Sequence, residues 1–305
     1  MAGGVLALFG PTGVGKTAVA VALAERMRAR GERPLAISAD ALQVYRGLEV
    51  LTGVACAAEQ ARLEHRRVSF LPVSAPFSAG AYAALAHAEI DAALERGEAP
   101  IVVGGTGLYL RAALADLDLR PTATAAMRAP YEGPPARPPA ELHAELAARA
   151  PHLAARIDPG DRQRLVRSLA LLDAGVEYPP PDGGGAPGLW TGATRHPTRL
   201  VALTMRREAL VAAIDARVEA MVAAGAVEEA RAADAAGASA TARKALGFAE
   251  LLAGDVEAMK RRTRQYARRQ VTWLRKLPDV EVVDVTGRSP EEVAAEVDRG
   301  PRDGA

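Results

Sequence analysis

The sequence predicts an α/β protein with a parallel sheet covered by helices on both faces and a mostly helical insertion. Continuous apolar runs without polar alternation are typical of strands that are buried on both faces. Alanine-rich segments of helical character separate these runs, as expected for a parallel sheet. The strand pattern stops between residues 121 and 197. We therefore assign residues 1–120 and 198–305 to a discontinuous core and residues 121–197 to the insertion.

The chain begins with a predicted strand, loop and helix. The run VLALF at residues 5–9 precedes the loop GPTGVGKT, and an alanine-rich segment follows as far as Gly31. The loop satisfies the pattern G-x-x-x-x-G-K-[ST], in which glycines allow backbone N–H groups to surround phosphate oxygens. This P-loop predicts a phosphate site and a P-loop NTPase-like core. Its candidate ligands are Gly10, Thr12, Gly13, Val14, Gly15, Lys16 and Thr17, with Lys16 on a terminal phosphate and Thr17 on Mg²⁺.

Further apolar runs predict the remaining core elements. Residues 34–38 predict a second strand, which ends just before Asp40, and residues 78–96 predict a helix capped by Ser78. Residues 99–114 predict a strand, a glycine turn and a helix. The strand pattern resumes at residues 198–205, and we expect helices from there to close the core.

Two helices are predicted in the insertion, at residues 140–157 and 161–175. In the second helix, Leu165, Val166 and Leu169 can pack inward.

Composition indicates a cytoplasmic protein. Cys56 is the single cysteine, so neither an intramolecular disulfide framework nor a cysteine cluster for structural zinc is available. The apolar run at residues 5–9 is too short for a membrane span and lacks the basic flank of a signal peptide. We expect no membrane partner, and nothing in the sequence demands more than a monomer.

Positive charge is concentrated in one segment. Residues 260–276 contain eight basic residues and no acid, although the whole chain has a net charge of +1. As a helix, this segment places Tyr266, Val271 and Trp273 near an apolar side and Arg261, Arg264, Arg268 and Arg275 along another. We expect the apolar side to pack on the core and the basic side to meet an anionic partner, with a solvated charged face as the alternative.

The P-loop by itself identifies a phosphate site and not a nucleoside triphosphate. No second aspartate follows a long apolar strand downstream, and no kinase lid is evident, so ATP binding is not established and a P-loop kinase stays an alternative. Asp40 follows a strand at the edge where open α/β sheets hold their chemistry. A helix cap or an outer-sphere Mg²⁺ ligand is the other interpretation of Asp40.

Several ordered motifs resemble one enzyme family. The likeness covers most of residues 4–278 and rests on GPTGVGKT, SADALQVYRG, PIVVGGTGLYL, DPGDRQRLVRSL, TARKALGFAELL and RRTRQYARRQVTWLRK. In this order they resemble the tRNA dimethylallyltransferases. The resemblance implies transfer of a dimethylallyl group from dimethylallyl diphosphate to the exocyclic N6 amine of the adenine immediately 3′ of the anticodon in tRNA, with release of pyrophosphate. A diphosphate also has the oxygens that a P-loop binds.

The implied chemistry suits particular residues. An adenine amine is a poor nucleophile, so Asp40 is our candidate general base. By resemblance, Thr106 orients the adenine and Arg217 faces the pyrophosphate; a simple turn residue and a solvated helix arginine are the alternatives. By the same resemblance the tRNA-binding residues are Asp40, Ala41, Leu42, Gln43, Thr106, Arg128, Gln163, Arg164, Arg167, Arg243, Lys244 and Gly247. The basic side of residues 260–276 adds Arg264 and Arg268 as candidates.

The chain also departs from the family pattern. Ala41 stands where members usually have serine, and residues 50–70 lack a usual lysine and a usual pair of histidines. We expect these departures to affect the rate of transfer and the choice of tRNA more than the fold. Besides the kinase, two alternatives stay open: an adenylate prenyltransferase that acts on free nucleotide, and a tRNA-binding protein without activity.

Overall fold

The computed structural model describes residues 3–133, 135–178, 189 and 191–300. Within these ranges the chain forms a six-stranded sheet in the order β3-β2-β4-β1-β5-β6, and every neighbouring pair is parallel. The predicted parallel α/β fold is therefore confirmed. The strands are β1 (Val5–Phe9), β2 (Pro34–Ser38), β3 (His65–Arg66), β4 (Ala99–Gly104), β5 (Thr198–Thr204) and β6 (Val280–Asp284).

Helices connect the strands, and a 3₁₀ helix spans Ala242–Lys244. In chain order the α-helices are α1 (Lys16–Ala29), α2 (Glu49–Thr52), α3 (Ala57–Arg62), α4 (Ala79–Glu95), α5 (Gly107–Leu114), α6 (Ala125–Glu132), α7 (Pro139–Arg149), α8 (Pro151–Ala154), α9 (Arg162–Asp173), α10 (Arg207–Ala223), α11 (Ala226–Ala235), α12 (Phe248–Leu252), α13 (Val256–Leu274) and α14 (Pro290–Arg299). As predicted, Ser78 caps α4, since its side chain accepts a hydrogen bond from the Ala81 N–H. None of the helices in the described ranges is both long enough and apolar enough to cross a bilayer.

Helices cover both faces of the sheet. Leu6 and Leu8 of β1 pack in one apolar cluster with residues of α1 and α14. Val5, Ala7 and Phe9 of the same strand are also buried, and successive side chains of a strand point to opposite faces. On that opposite face α4 and α5 pack against β4. This double burial explains why the central strands are apolar without alternation.

Three differences from the prediction have simple causes. β3 and β6 are edge strands and were not predicted: β3 has two residues, and β6 mixes polar and apolar residues, with Val282 56% exposed. The helices expected after residue 206 are present, and β6 adds a strand between α13 and α14. The single helix predicted over residues 140–157 is divided at Ala150, because Pro151 has no N–H to continue the helical hydrogen bonds.

Contacts between Cα atoms divide the chain into two compact units. Unit 1 is Met1–Leu117 with Pro187–Ala305, and unit 2 is Asp118–Ala186. The boundaries differ from the predicted 121 and 197. Residues 191–197 group with unit 1, where the Arg195 N–H donates to the Leu114 carbonyl.

Each unit has its own apolar core. Unit 2 buries one side of α7 and α9, including Leu142, Leu146, Leu165 and Leu169. Unit 1 has a second cluster beside the sheet, in which Leu48, Leu51, Phe248 and Met259 pack with residues of α10 and α11. This second cluster supports the helices that face the carboxyl ends of the strands.

Candidate active site

A cavity opens at the carboxyl edge of the sheet, entirely within unit 1. The register aligns Phe9 of β1 with Gly104 of β4, and Ser38 of β2 with Val103 of β4, so these strands end side by side. The loops that follow them enclose a cavity of about 660 Å³ together with residues of α10 and α13. Side chains that are distant in the sequence therefore face one space, which is the usual site of ligand binding in open α/β sheets.

The P-loop has the tight backbone that its glycines predict. Gly13 and Gly15 have φ values of 84° and 91°. A Cβ on Gly10 would lie 2.8 Å from the Leu203 carbonyl oxygen, and one on Gly13 would lie 2.9 Å from Ile214 Cγ1. No side chain caps the start of α1. Its first N–H groups are therefore available to an anion, and the helix dipole favours negative charge there.

Lys16 is held at the base of this loop. Its Nζ donates to the carbonyl oxygens of Gly10 and Pro11, each at 2.9 Å. Burial lowers the pKa of Lys16 to about 7, and the positive charge of Arg217 contributes, whereas Asp40 acts in the opposite direction. These surroundings disfavour the charged ammonium, and an anion placed beside it would stabilise the charge.

Arg217 enters the same cavity from α10. Within the described residues its guanidinium makes no hydrogen bond or ion pair. A Cβ on Gly53 would lie 1.7 Å from Arg217 Nη2, so the guanidinium lies directly against the backbone at that glycine. Burial lowers the pKa of Arg217, and the negative charges of Asp40 and Glu59 oppose this effect. The structure places Arg217 in the cavity and not on a solvated helix face.

Asp40 follows β2 and places a carboxylate in the cavity, which Glu49 and Glu59 also line. Its Oδ1 accepts a hydrogen bond of 2.9 Å from the Leu42 N–H. Burial raises the pKa of Asp40, while the Leu42 N–H and the positive charge of Lys16 act to lower it. A carboxylate with a raised pKa is a stronger base than an exposed one, which suits Asp40 to accept a proton.

Gln43 lines the cavity near Asp40, and its amide supports the wall around Arg217. Gln43 Oε1 accepts from Ser38 Oγ at 2.7 Å, and Nε2 donates to the Gly53 carbonyl at 3.0 Å. These bonds hold the loop that contacts Arg217. Ala41 and Leu42 also line the cavity.

The turn after β4 is tied to α13. Thr106 Oγ1 lies 2.9 Å from the Tyr266 hydroxyl. Burial raises the pKa of Tyr266 to about 12, with a contribution from the charge of Asp40. Tyr266 is therefore a neutral phenol that can hydrogen-bond Thr106 near neutral pH.

Gln270 connects two loops of the cavity, and sequence reasoning missed it. Its Oε1 accepts from the Thr12 N–H at 2.8 Å, and its Nε2 donates to the Gly105 carbonyl at 2.8 Å. The expectation that an apolar stripe packs α13 on the core was wrong in part, because the polar residues Thr263 and Gln270 are buried together with Met259 and Ala267. The helical spacing of these polar residues was the only sequence signal available.

Comparison with known proteins decides the family. A protein-family model described as IPP transferase matches residues 43–277. The chain belongs to the IPP transferase family. It is 44% identical over 288 residues to the tRNA dimethylallyltransferase of Anaeromyxobacter sp. (strain Fw109-5), with 90% of this chain and 93% of the relative covered. It is 36% identical over 292 residues to the tRNA dimethylallyltransferase of Clavibacter sepedonicus, covering 92% and 93%.

A solved structure agrees with this assignment. The full-length tRNA isopentenylpyrophosphate transferase from Bacillus halodurans is 29% identical, with a TM-score of 0.68 over 97% of this chain and 94% of that chain. The architecture of this IPP transferase is therefore shared with an experimentally determined structure of the same family.

The basic segment at residues 260–276 of this IPP transferase has less unpaired positive charge than its sequence suggests. Acids from other segments form ion pairs with four of its members: Lys260 with Glu219, Arg261 with Asp255, Arg262 with Glu250 and Arg264 with Asp215. Arg264 binds both carboxylate oxygens of Asp215, at 2.8 and 2.7 Å. Arg268 is exposed, and its guanidinium has no partner among the described residues. The segment thus combines charges that stabilise the fold with charges that face solvent.

The turn before α12 holds three more of the predicted tRNA-binding residues. Arg243 donates to the Ala238 carbonyl and pairs with Asp234 at 2.5 Å. Lys244 is exposed at the cavity. Gly247 has φ 92°, and a Cβ there would lie 2.5 Å from Met259 Sδ, so packing alone requires glycine at this position.

In unit 2, α9 has the two sides that its sequence predicts. Leu165, Val166 and Leu169 are buried, whereas the predicted tRNA-binding residues Gln163, Arg164 and Arg167 are exposed. Arg164 Nε lies 3.3 Å from Asp161, and Arg167 donates to the Arg120 carbonyl at 3.0 Å. Arg128, on α6, donates to Glu132 at 3.0 Å and to the Ala123 carbonyl.

Proposed function

We propose that this IPP transferase moves a dimethylallyl group from dimethylallyl diphosphate to the N6 amine of the adenine immediately 3′ of the anticodon in tRNA, and releases pyrophosphate. The observation that carries the proposal is the placement of Asp40 in the same cavity as Lys16 and Arg217. A base and an anion site in one cavity suit a reaction that removes a proton from one substrate and a diphosphate from the other. The names of the curated relatives support the assignment.

The diphosphate would occupy the cationic side of the cavity. Lys16, Arg217 and the N–H groups at the start of α1 converge there. As the bond from the dimethylallyl carbon to the diphosphate oxygen breaks, negative charge grows on the leaving group. Fixed cations and N–H dipoles stabilise that charge without rearranging, and this is the largest contribution in many enzymes.

The adenine amine would meet Asp40 in the same cavity. The amine lone pair is delocalised into the ring, so the new carbon–nitrogen bond forms readily only if the N6 proton is removed as it forms. Asp40 would accept this proton, an effect worth about 10²–10⁴-fold. Thr106, held by Tyr266, would orient the base.

The residues present fit a bound Mg²⁺. The described residues include no group of three or more His, Cys, Asp or Glu that could hold a metal ion. Mg²⁺ typically binds through one or two protein oxygens and the phosphates of the substrate. Thr17 lines the cavity beside Lys16, and its hydroxyl has no hydrogen-bond partner in the described part of the chain. Thr17 would hold the ion, which would supply further positive charge to the departing pyrophosphate.

The tRNA would be held largely through its phosphates. An anticodon-loop adenine must leave its stack to enter a cavity, at a cost of a few kcal/mol, which backbone contacts can offset. Exposed basic residues for this purpose are Arg268 and Lys244 in unit 1 and Arg164 and Arg167 in unit 2. We propose a monomeric enzyme acting in the reducing cytoplasm, where the exposed free thiol of Cys56 would persist.

The test is direct transfer. The chain is incubated with dimethylallyl diphosphate, Mg²⁺ and an anticodon stem-loop RNA, and the RNA is analysed by mass spectrometry. We expect one dimethylallyl group on the adenine 3′ of the anticodon, and none on an RNA with guanine at that position. Transfer to AMP in preference to RNA would instead identify an adenylate prenyltransferase, and ATP turnover without donor would identify a kinase or NTPase.

A further inference from the structure

Gln270 is the side chain that hydrogen-bonds both to the P-loop and to the turn after β4. Its Oε1 accepts from the Thr12 N–H and its Nε2 donates to the Gly105 carbonyl, both at 2.8 Å. The side chain is 5% exposed. Since an amide has one acceptor end and one donor end, this pair of bonds fixes both its position and its orientation.

The space around Gln270 leaves it little freedom. A Cβ on Gly105 would lie 2.3 Å from Gln270 Nε2 and 2.8 Å from the Gly10 carbonyl oxygen. The turn therefore packs directly against both the P-loop and the glutamine. One turn earlier in α13, Tyr266 contacts Thr106, the next residue of the same turn.

We infer that Gln270 is a positioning residue that fixes the P-loop, and so the diphosphate, relative to the turn that presents Thr106 to the acceptor base. The inference rests on the proposed function for its kinetic consequence. Two reacting groups on separate loops must approach within bonding distance, and a displacement of about 1 Å can cost about 100-fold in rate. The sheet already connects the P-loop with the turn after β4. Gln270 adds a direct hydrogen-bonded link between them.

The same helix carries the exposed Arg268. One residue, Arg269, lies between the exposed Arg268 and the buried Gln270, so a force on the outer side of α13 acts on the helix that holds both loops. Gln270 thus links α13, which we propose faces the RNA, to the P-loop, which we propose binds the diphosphate.

Kinetics of matched variants test the inference. In Gln270→Leu, which keeps similar bulk but loses both bonds, we expect kcat to fall about 10–100-fold. KM values for donor and RNA should change by less than about threefold, since neither substrate contact is removed. Gln265→Leu, at an exposed position of the same helix, should keep wild-type kinetics. A kcat within threefold of wild type in Gln270→Leu would overturn the inference.

A second variant covers the possibility that Gln270→Leu does not fold. Gln270→Glu retains an acceptor for the Thr12 N–H and replaces the donor to Gly105 by an oxygen, so the link to the turn is broken specifically. We expect the same loss of kcat at a melting temperature near that of wild type. If both variants unfold, or if all rate and binding parameters fall in parallel with the folded fraction, Gln270 is merely structural and the inference is wrong.

A measurement that does not depend on catalytic activity separates this inference from the proposed function. Hydrogen exchange is followed with and without inorganic pyrophosphate. In the wild-type chain we expect pyrophosphate to protect peptides from the P-loop and from residues 104–108; in Gln270→Leu only the P-loop protection should persist. Equal protection of residues 104–108 in both proteins would overturn the inference. Failure of prenyl transfer by the wild-type chain would reject the proposed function and leave this result standing.

Discussion

Lys16 and Arg217 bring two basic side chains into one cavity, and in the part of the chain that the structure describes no carboxylate forms an ion pair with either. Burial, and then the charge of Arg217, lowers the pKa of Lys16 to about 7. Like charges on these two groups repel each other, and an anion bound beside both would offset that repulsion. This relationship favours the binding of an anion in the cavity.

Proton uptake on pyrophosphate binding is the first prediction. At about pH 8 the empty-site Lys16 is largely neutral, and a bound anion favours its charged form and raises its pKa towards the usual range. Binding should therefore take up a fraction of a proton, measured by calorimetry in buffers of different ionisation enthalpy. Lys16→Met should bind without uptake. Equal enthalpies of the wild-type chain in all buffers would contradict the prediction.

Gly53→Ala should weaken donor binding through Arg217. The new Cβ would lie 1.7 Å from Arg217 Nη2, so the guanidinium must move. We expect pyrophosphate affinity to fall about tenfold, equivalent to about 1.4 kcal/mol, similar to Arg217→Ala. Gly31→Ala is the matched control, because Gly31 also has a positive φ of 82° but a Cβ there meets nothing within 4 Å. If Gly31→Ala weakens binding equally, the effect is backbone strain and not displacement of Arg217.

Asp40→Asn should abolish most of the transfer and keep RNA binding. Loss of the general base predicts a fall in kcat of about 10²–10⁴-fold, with RNA affinity measured by fluorescence anisotropy nearly unchanged. Because burial raises the pKa of Asp40, the base is protonated at a higher pH than an exposed aspartate. Activity of the wild-type chain should accordingly fall on the acid side, as pH drops through this raised pKa. A variant with wild-type rates would remove Asp40 from the mechanism.

Arg268 and Arg264 should differ in their effect on RNA binding. Arg268→Ala should weaken binding and reduce the dependence of log K on log salt by about one, the expectation for one lost phosphate contact. The guanidinium of Arg264 donates to both carboxylate oxygens of Asp215 and is therefore not available to a phosphate. Arg264→Ala should leave the salt slope nearly unchanged. It should lower the free energy of unfolding by about 1 kcal/mol or less. Titrations at several salt concentrations and thermal melts check both variants. Equal salt slopes in the two variants would show that the ion pair opens on RNA binding.

Elements buried on both sides were the ones that the sequence could predict. β1, β2, β4 and β5 are interior strands, and each is a continuous apolar run that is visible without knowledge of its neighbours. Local hydrogen bonding also predicted the Ser78 cap, because the residues involved are three apart. β6 lies at the edge of the sheet and mixes polar and apolar residues. It therefore lacks the continuous apolar run that identified the interior strands.

The sequence by itself therefore determined the P-loop, the parallel core and the family motifs, since these depend on residues that are close along the chain. Tertiary structure alone decided that Gln270 bonds to Thr12, 258 residues away, that Asp215 neutralises Arg264, and that Arg217 packs against Gly53. Such contacts depend on how separate helices and strands pack. A local pattern records which side of a helix is polar and leaves undetermined which distant group that side will meet.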